Sequence, residues 1–212
     1  MKQETKMKLK KVLISATAIA SLVTLGGTMA FFTDQEVTTN KFSVGEVKIE
    51  LHEDEWDKLA DVNNNDIPDI CENMVPTQTV TKDPSVKNTG KDNCYVYLKV
   101  TVPMKNIITV NDDGSRNAKA ETELYSYNVN AGWVLLERTE KATAVDYVYY
   151  YNKEIAPQEQ TNTLFDTVTL VNAIEGQIDN SKLEMPIEAY SIQSLNVGTQ
   201  AEAYQKFLNQ NK

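Results

Sequence analysis

The stretch Cys94-Tyr-Val-Tyr-Leu-Lys-Val-Thr-Val102 alternates with a period of two. Cys94, Val96, Leu98, Val100 and Val102 share one face, while Lys99 and Thr101 point the other way. Such a pattern belongs to a strand with one face in a core, as in a sandwich or barrel. Pro103 follows and is expected to end it, because proline has no N–H to give to a ladder.

Outward from this strand, other β-rich runs recur at short intervals: 44–51, 77–86, 107–110, 124–129, 133–138, 147–151, 164–170 and 187–195. Asn88-Thr-Gly90, Asn111-Asp-Asp-Gly114, Asn130-Ala-Gly132 and Ala156-Pro157 separate them with turn chemistry. The runs 124–129 and 133–138 read as a β-hairpin, with Gly132 able to take positive φ. Residues 200–209 read as a short helix, with Ala203, Phe207 and Leu208 on one face to cap the sandwich. The ten tyrosines fall mostly in strands, where cross-strand packing accounts for them. The expected fold class is therefore all-β, a sandwich with a short C-terminal helix.

The first residues have a different character. Lys2, Lys6, Lys8, Lys10 and Lys11 precede a mostly apolar run, Val12 to Leu25, and Thr28-Met-Ala30 offers small residues at −3 and −1. That order is a secretory signal over 1–30, cut between Ala30 and Phe31. The apolar run is short and carries Ser15, Thr17, Ser21 and Thr24, so it would span a bilayer poorly. Removing five lysines and one glutamate leaves 16 basic and 29 acidic residues, a change from −9 to −13. A domain so acidic is repelled by nucleic acid and anionic membranes. Residues 31–212 suit one domain, with 56–74 as the longest insertion.

Little points to catalysis. His52 is the single histidine, and no His-Glu-x-x-His helix exists to hold a catalytic zinc. A serine triad would have to use His52, which has no nucleophile elbow nearby, and nothing local supports a Cys71–His52 pair. Paired-carboxylate chemistry stays open, because so many acids offer too many pairs.

One motif has metal-ligand spacing. In Asp61-Val-Asn-Asn-Asn-Asp-Ile-Pro-Asp-Ile-Cys-Glu72, side-chain oxygens fall at loop positions 1, 3, 5, 9 and 12. These are Asp61, Asn63, Asn65, Asp69 and Glu72, and Ile67 supplies a carbonyl at position 7. A hard cation with six to eight oxygen ligands, calcium above all, is wrapped in this way. Position 6, ordinarily glycine, is Asp66. Without flanking helices the loop resembles those of dockerins or thrombospondin repeats; a polar surface loop has the same composition. Cys71 and Cys94 are the only cysteines. An exported chain favours a disulfide between them, tying the loop to the 94–102 strand; two free small hydrophobes are the alternative.

Lys10-Lys-Val-Leu-Ile-Ser-Ala-Thr-Ala-Ile-Ala-Ser-Leu22 and Gly26-Gly-Thr-Met-Ala-Phe-Phe-Thr-Asp34 resemble the signal and junction of the TasA/camelysin family. So do Thr39 to Ile49, Thr81-Lys-Asp-Pro-Ser-Val-Lys-Asn-Thr-Gly90, Tyr95 to Val102, Leu164 to Leu170 and Glu175-Gly-Gln-Ile178. The resemblance implies a jelly-roll-like β-sandwich, cleaved by a SipW-type signal peptidase and secreted to the cell surface or biofilm matrix. There TasA-like members form fibres, with further copies and other matrix proteins as partners. Camelysin itself is classed as a metalloendopeptidase, but no zinc motif is present to carry over. The calcium-type loop and both cysteines look like additions to the family pattern. Cleavage would leave a terminus with Phe31, Phe32, Val37 and Phe42 to bury. It either folds back as an edge strand of its own sandwich or adds to a neighbouring copy as a donor strand.

Overall fold

The computed structural model describes residues 31–32, 47–65, 67–178 and 184–210. The signal segment, with Ala30, lies outside them, as do Val37, Phe42 and Asp66.

The alternating stretch is the middle of the fold. It forms β5 (Cys94–Ile107), whose inward residues Cys94, Val96, Leu98, Val100 and Val102 are fully buried. β5 pairs antiparallel with β9 (Ala144–Tyr151) on one side and β11 (Ile187–Gln193) on the other, placing Val100 between Tyr147 and Ile187. β8 (Trp133–Glu140) lies outside β9, and β1 (Phe31–Phe32) lies outside β11, giving the order β1-β11-β5-β9-β8. β6 (Ala120–Glu123) pairs with the far end of β5.

Facing this sheet are two small ones. β2 (Ile49–His52) pairs with β4 (Ser85–Asn88), while β10 (Thr167–Leu170) lies between β3 (Thr79–Thr81) and β7 (Tyr125–Ser126). Val86, Leu164, Phe165, Val168 and Leu170 join Val96, Leu98 and Val100 in one buried cluster. Each such side chain removed from water contributes roughly 2 kcal/mol, so this seam holds the two layers together. The architecture is all-β, the sandwich expected from the alternation and the jelly-roll-like class implied by the resemblance.

The C-terminal helix α1 (Gln200–Gln210) closes the outer face of the large sheet. Ala203 and Tyr204 pack on Tyr95 and Tyr97, with Phe207 and Leu208 alongside. The Tyr97 and Tyr204 rings lie 5.1 Å apart. The hydroxyls of Tyr95 and Tyr97 donate to the Gly198 and Gln200 carbonyls, 3.0 and 2.7 Å away. Thr199-Gln-Ala-Glu202 is a capping box. The Thr199 hydroxyl accepts from Glu202 N–H at 3.3 Å, and the Glu202 carboxylate accepts from Thr199 N–H at 2.8 Å.

Two local expectations fail for physical reasons. Pro103 does not end its strand. It is the last residue of β5 opposite β9, β6 takes over at Met104, and the Pro103 carbonyl still accepts from Leu124. A missing N–H is tolerated where one partner hands over to the next. Nor do 124–129 and 133–138 form a hairpin, because β7 pairs with β10 and β8 pairs with β9. The Asn130–Gly132 turn is fastened to a third segment instead. Asn130 N–H donates to Leu164, its amide to Thr163 and Asp166, and Trp133 Nε1 to the Asn162 carbonyl. The turn thus carries the chain from one layer to the other, with Gly132 at φ +101°.

Candidate functional site

The insertion after β2 is fixed at a buried joint. Run 77–86 is broken at Lys82-Asp83-Pro84, and Lys82 and Asp83 are both buried there. Lys82 Nζ lies 2.9 and 3.1 Å from the two Glu53 oxygens, with the side chains only 10% and 15% exposed. The ammonium also stands 4.3 Å from the centroid of the Trp56 ring. Asp83 takes both of its oxygens to the backbone N–H groups of Glu55 and Trp56, at 2.9 to 3.2 Å. These bonds set the 3-10 turn Trp56–Lys58. Burial pushes the Glu53 carboxyl above its ordinary value, against the pull of Lys82. The Lys-Asp-Pro segment is therefore a clamp.

Beyond the joint runs the Asp61–Glu72 loop, whose oxygens are engaged with its own chain. Asp61 Oδ1 and Asn63 Oδ1 both accept from Asn65 N–H, at 3.2 and 3.1 Å. Asn65 Oδ1 accepts from Ile67 N–H at 2.9 Å, and Asp69 Oδ1 from Val62 N–H at 3.1 Å. Glu72 Oε1 accepts from the amides of Asn63 and Asn65, at 2.5 and 2.7 Å. Positions 3, 5 and 12 thus meet, as the spacing requires. The positive φ falls on Asn64, at 56°. Asp61, Asp69 and Glu72 do not converge as a carboxylate cluster. No three His, Cys, Asp or Glu among the described residues are placed to hold a metal. What the loop offers is an all-oxygen set of carboxylates, amides and a carbonyl, the chemistry of a hard cation rather than of zinc.

The cysteines stand apart from the disulfide expected of them, since both are free thiols. Cys94 is buried at the head of β5, with Sγ 3.9 Å from the Ile155 carbonyl. Cys71 is half-buried in the 3-10 turn Asp69–Cys71, near Tyr125. Each thiol meets different neighbours, and burial pushes the Cys94 thiol up to about 12.

His52 sits on β2 with Nε2 3.7 Å from Glu50 and Nδ1 3.8 Å from Asp54, too far for hydrogen bonds. Ser85 pairs opposite it, but its hydroxyl engages the His52 carbonyl and Gln160 rather than the imidazole. A second charged group, which the strand pattern did not flag, lies on the outer face of the large sheet. Lys99 Nζ is 2.8 Å from Glu188 and 3.6 Å from Asp146, and Asp146 also meets Lys141 at 2.6 Å and Thr101 at 2.8 Å. Burial opposes the Asp146 charge, but bonds from Lys141 and Thr101 and the charge of Lys99 together hold the carboxyl below its usual range. The signal was present in the alternation, which sends Lys99 and Thr101 to this face. Their partners arrive from β9 and β11.

At the sheet edge, the backbone of Phe31 and Phe32 runs parallel to β11, opposite Glu188 and Ala189. β11 pairs through all seven residues with β5 but through only these two with β1. Phe31 and Phe32 thus lie on the edge of the same sandwich.

Among the described residues the donors do not suit a peptidase zinc: the one histidine of the chain has only Glu50 and Asp54 beside it, at 3.7 and 3.8 Å, and no group of three His, Cys, Asp or Glu is placed to hold a metal. No helix among the described residues is long and apolar enough to cross a membrane. No curated protein and no solved structure matches the chain. The match that exists is to a family. It runs over residues 4–123, from the basic start to the end of β6 and more than half of the 212 residues. The chain belongs to the camelysin metallo-endopeptidase family.

Proposed function

We propose that this chain is a secreted structural protein of the cell surface or biofilm matrix that assembles into fibres by donating its N-terminal strand. The observation that carries the reading is the outer edge of β11, to which Phe31 and Phe32 add in parallel opposite Glu188 and Ala189, the one pairing on that edge among the described residues. An edge strand with open N–H and C=O groups is a template for another chain. The same segment offered to a neighbour makes a head-to-tail contact that need not close, and so builds a filament. The resemblance to TasA-like fibre formers supports this. Cleavage at Ala30–Phe31 by a SipW-type signal peptidase would release the donor; other matrix proteins are further partners.

The test compares mature protein starting at Phe31 with a version starting at Thr39, by electron microscopy and sedimentation at matched concentration. Filaments are expected only from the intact terminus. Filaments from both, or from neither across salt and pH, defeat the reading.

The family description favours a second reading, a surface metallo-endopeptidase. Casein cleavage by purified mature protein, abolished by chelator and restored by metal, would establish it. Calcium is the ion we propose for Asp61, Asn63, Asn65, Ile67, Asp69 and Glu72, on the strength of the oxygen-only donor set. Binding would replace the Glu72–amide bonds with ion contacts.

A further inference from the structure

The insertion has two faces. Trp56, Cys71 and Met74 pack inward against the core cluster. Val62, Ile67, Ile70 and Val75 point outward, 79%, 45%, 48% and 60% exposed. Nothing in the fold of the described residues uses these four. Hydrogen bonds gather three of them: Asp69 holds Val62 N–H, and the Gln78 side chain takes Val75 N–H and donates to the Ile70 carbonyl. The same segment carries Asp54, Glu55, Asp57, Asp61, Asp69 and Glu72. Lys58 is the single basic residue between Glu53 and Gln78, and its ammonium is held by Glu55. Exposed aliphatic side chains gathered on a segment with charge of one sign mark an interaction surface. The Lys82–Glu53 and Asp83 bonds fasten the whole insertion, which lowers the entropy lost on docking.

We infer that this surface docks a cationic amphipathic peptide segment of another protein. Apolar side chains of the partner would cover Val62, Ile70 and Val75 while its lysines or arginines answer the carboxylates. Charge complementarity excludes the other occupants. A second copy would bring the same acidic surface, and an anionic membrane would repel it. The inference is independent of fibre assembly, because the insertion is not the β11 edge.

The probe is a fluorescent Lys/Leu amphipathic 18-residue peptide, with a Lys/Ser peptide of equal charge as control. Both are titrated by anisotropy into mature protein at physiological salt in the presence of chelator, which leaves the Asp61, Asp69 and Glu72 carboxylates free of metal. One variant carries Val62→Ser, Ile70→Ser and Val75→Ser; a second carries Val134→Ser and Leu135→Ser on β8, also exposed. All these side chains are exposed, so folding should survive, and circular dichroism checks it. The Lys/Leu peptide should bind, the insertion variant should lose about tenfold in affinity, and the β8 variant should lose nothing. The Lys/Ser peptide should bind weakly and equally to all three. No binding, equal binding of the two peptides, or an affinity unchanged in the insertion variant overturns the inference. Loss confined to the β8 variant overturns it too.

Discussion

Replacing Lys82 by methionine isolates the clamp under the insertion. The ammonium is 2.9 Å from one Glu53 oxygen and 3.1 Å from the other, both side chains are nearly buried, and Trp56 covers the charge. Methionine fills much of the same volume but leaves Glu53 without its counter-ion. Breaking a buried pair from one side costs about 3 kcal/mol, more than the pair contributes net, because the surviving charge is stranded. For a domain of this size that is a fall in Tm of about 6–12 °C. A pH dependence goes with it. Burial already holds the folded Glu53 carboxyl above its ordinary value, and Lys82 is what pulls it down. Without Lys82 the native state binds that proton more tightly than the unfolded chain does. Stability therefore returns as pH falls below the folded value and is lost as pH rises through it. Urea unfolding followed by Trp56 and Trp133 fluorescence should show Lys82→Met recovering stability as pH falls from 7 to 5. The double variant Lys82→Met with Glu53→Leu should come within about 1 kcal/mol of the parent at both pH values. A double variant as unstable as the single one, or a single one indifferent to pH, would refute the reasoning.

Calcium titrated into mature protein should raise its Tm by mass action and do so far less in Glu72→Gln, with magnesium a poor substitute; identical curves would remove the site. Gly132→Ala should cost about 1–3 kcal/mol, because φ is +101° and a Cβ would come 2.7 Å from Tyr151 Cε2. Thermal melts measure it, and an unchanged Tm would contradict that geometry. In native protein a thiol reagent should label the half-buried Cys71 within minutes and reach Cys94 only in denaturant, as peptide mass mapping will show. Labelling of neither in denaturant would mean the two are joined after all.

The large sheet was legible because β5 carries its burial in its own spelling: inward residues alternate, and their neighbours need only be apolar. The helix was legible for the same reason, since Ala203 and Phe207 lie one turn apart and both face the sheet. Sheet membership was not. Whether 133–138 follows 124–129 as a hairpin depends on what else Asn130 and Trp133 can bond, and their partners lie about 30 residues further on. Pro103 misled because the rule against proline assumes one partner throughout, and β5 changes partners there. In the loop, Asn63, Asn65 and Glu72 do meet, through hydrogen bonds from the two amides to the carboxylate. The Lys82 clamp stayed hidden, because a lysine in a turn-like Lys-Asp-Pro segment gives no sign that a glutamate 29 residues earlier will be buried against it.

The placing of β11 beside β5 has a consequence for the order in which the chain can fold. Lys99 meets Glu188 across 89 residues, so the central strand waits through most of the chain for one of its two neighbours. β1 waits longer still, for among the described residues it pairs with that same late strand alone. Contacts of such long range close loops before any reward arrives, so the domain should fold slowly and almost all at once. A ribosome delivers β11 only about 80 residues after β5 is complete, and until then β5 has an apolar face and an open edge with nothing to cover them. The nascent chain therefore stays unfolded until β11 has been made, and in that interval it depends on whatever protein escorts it.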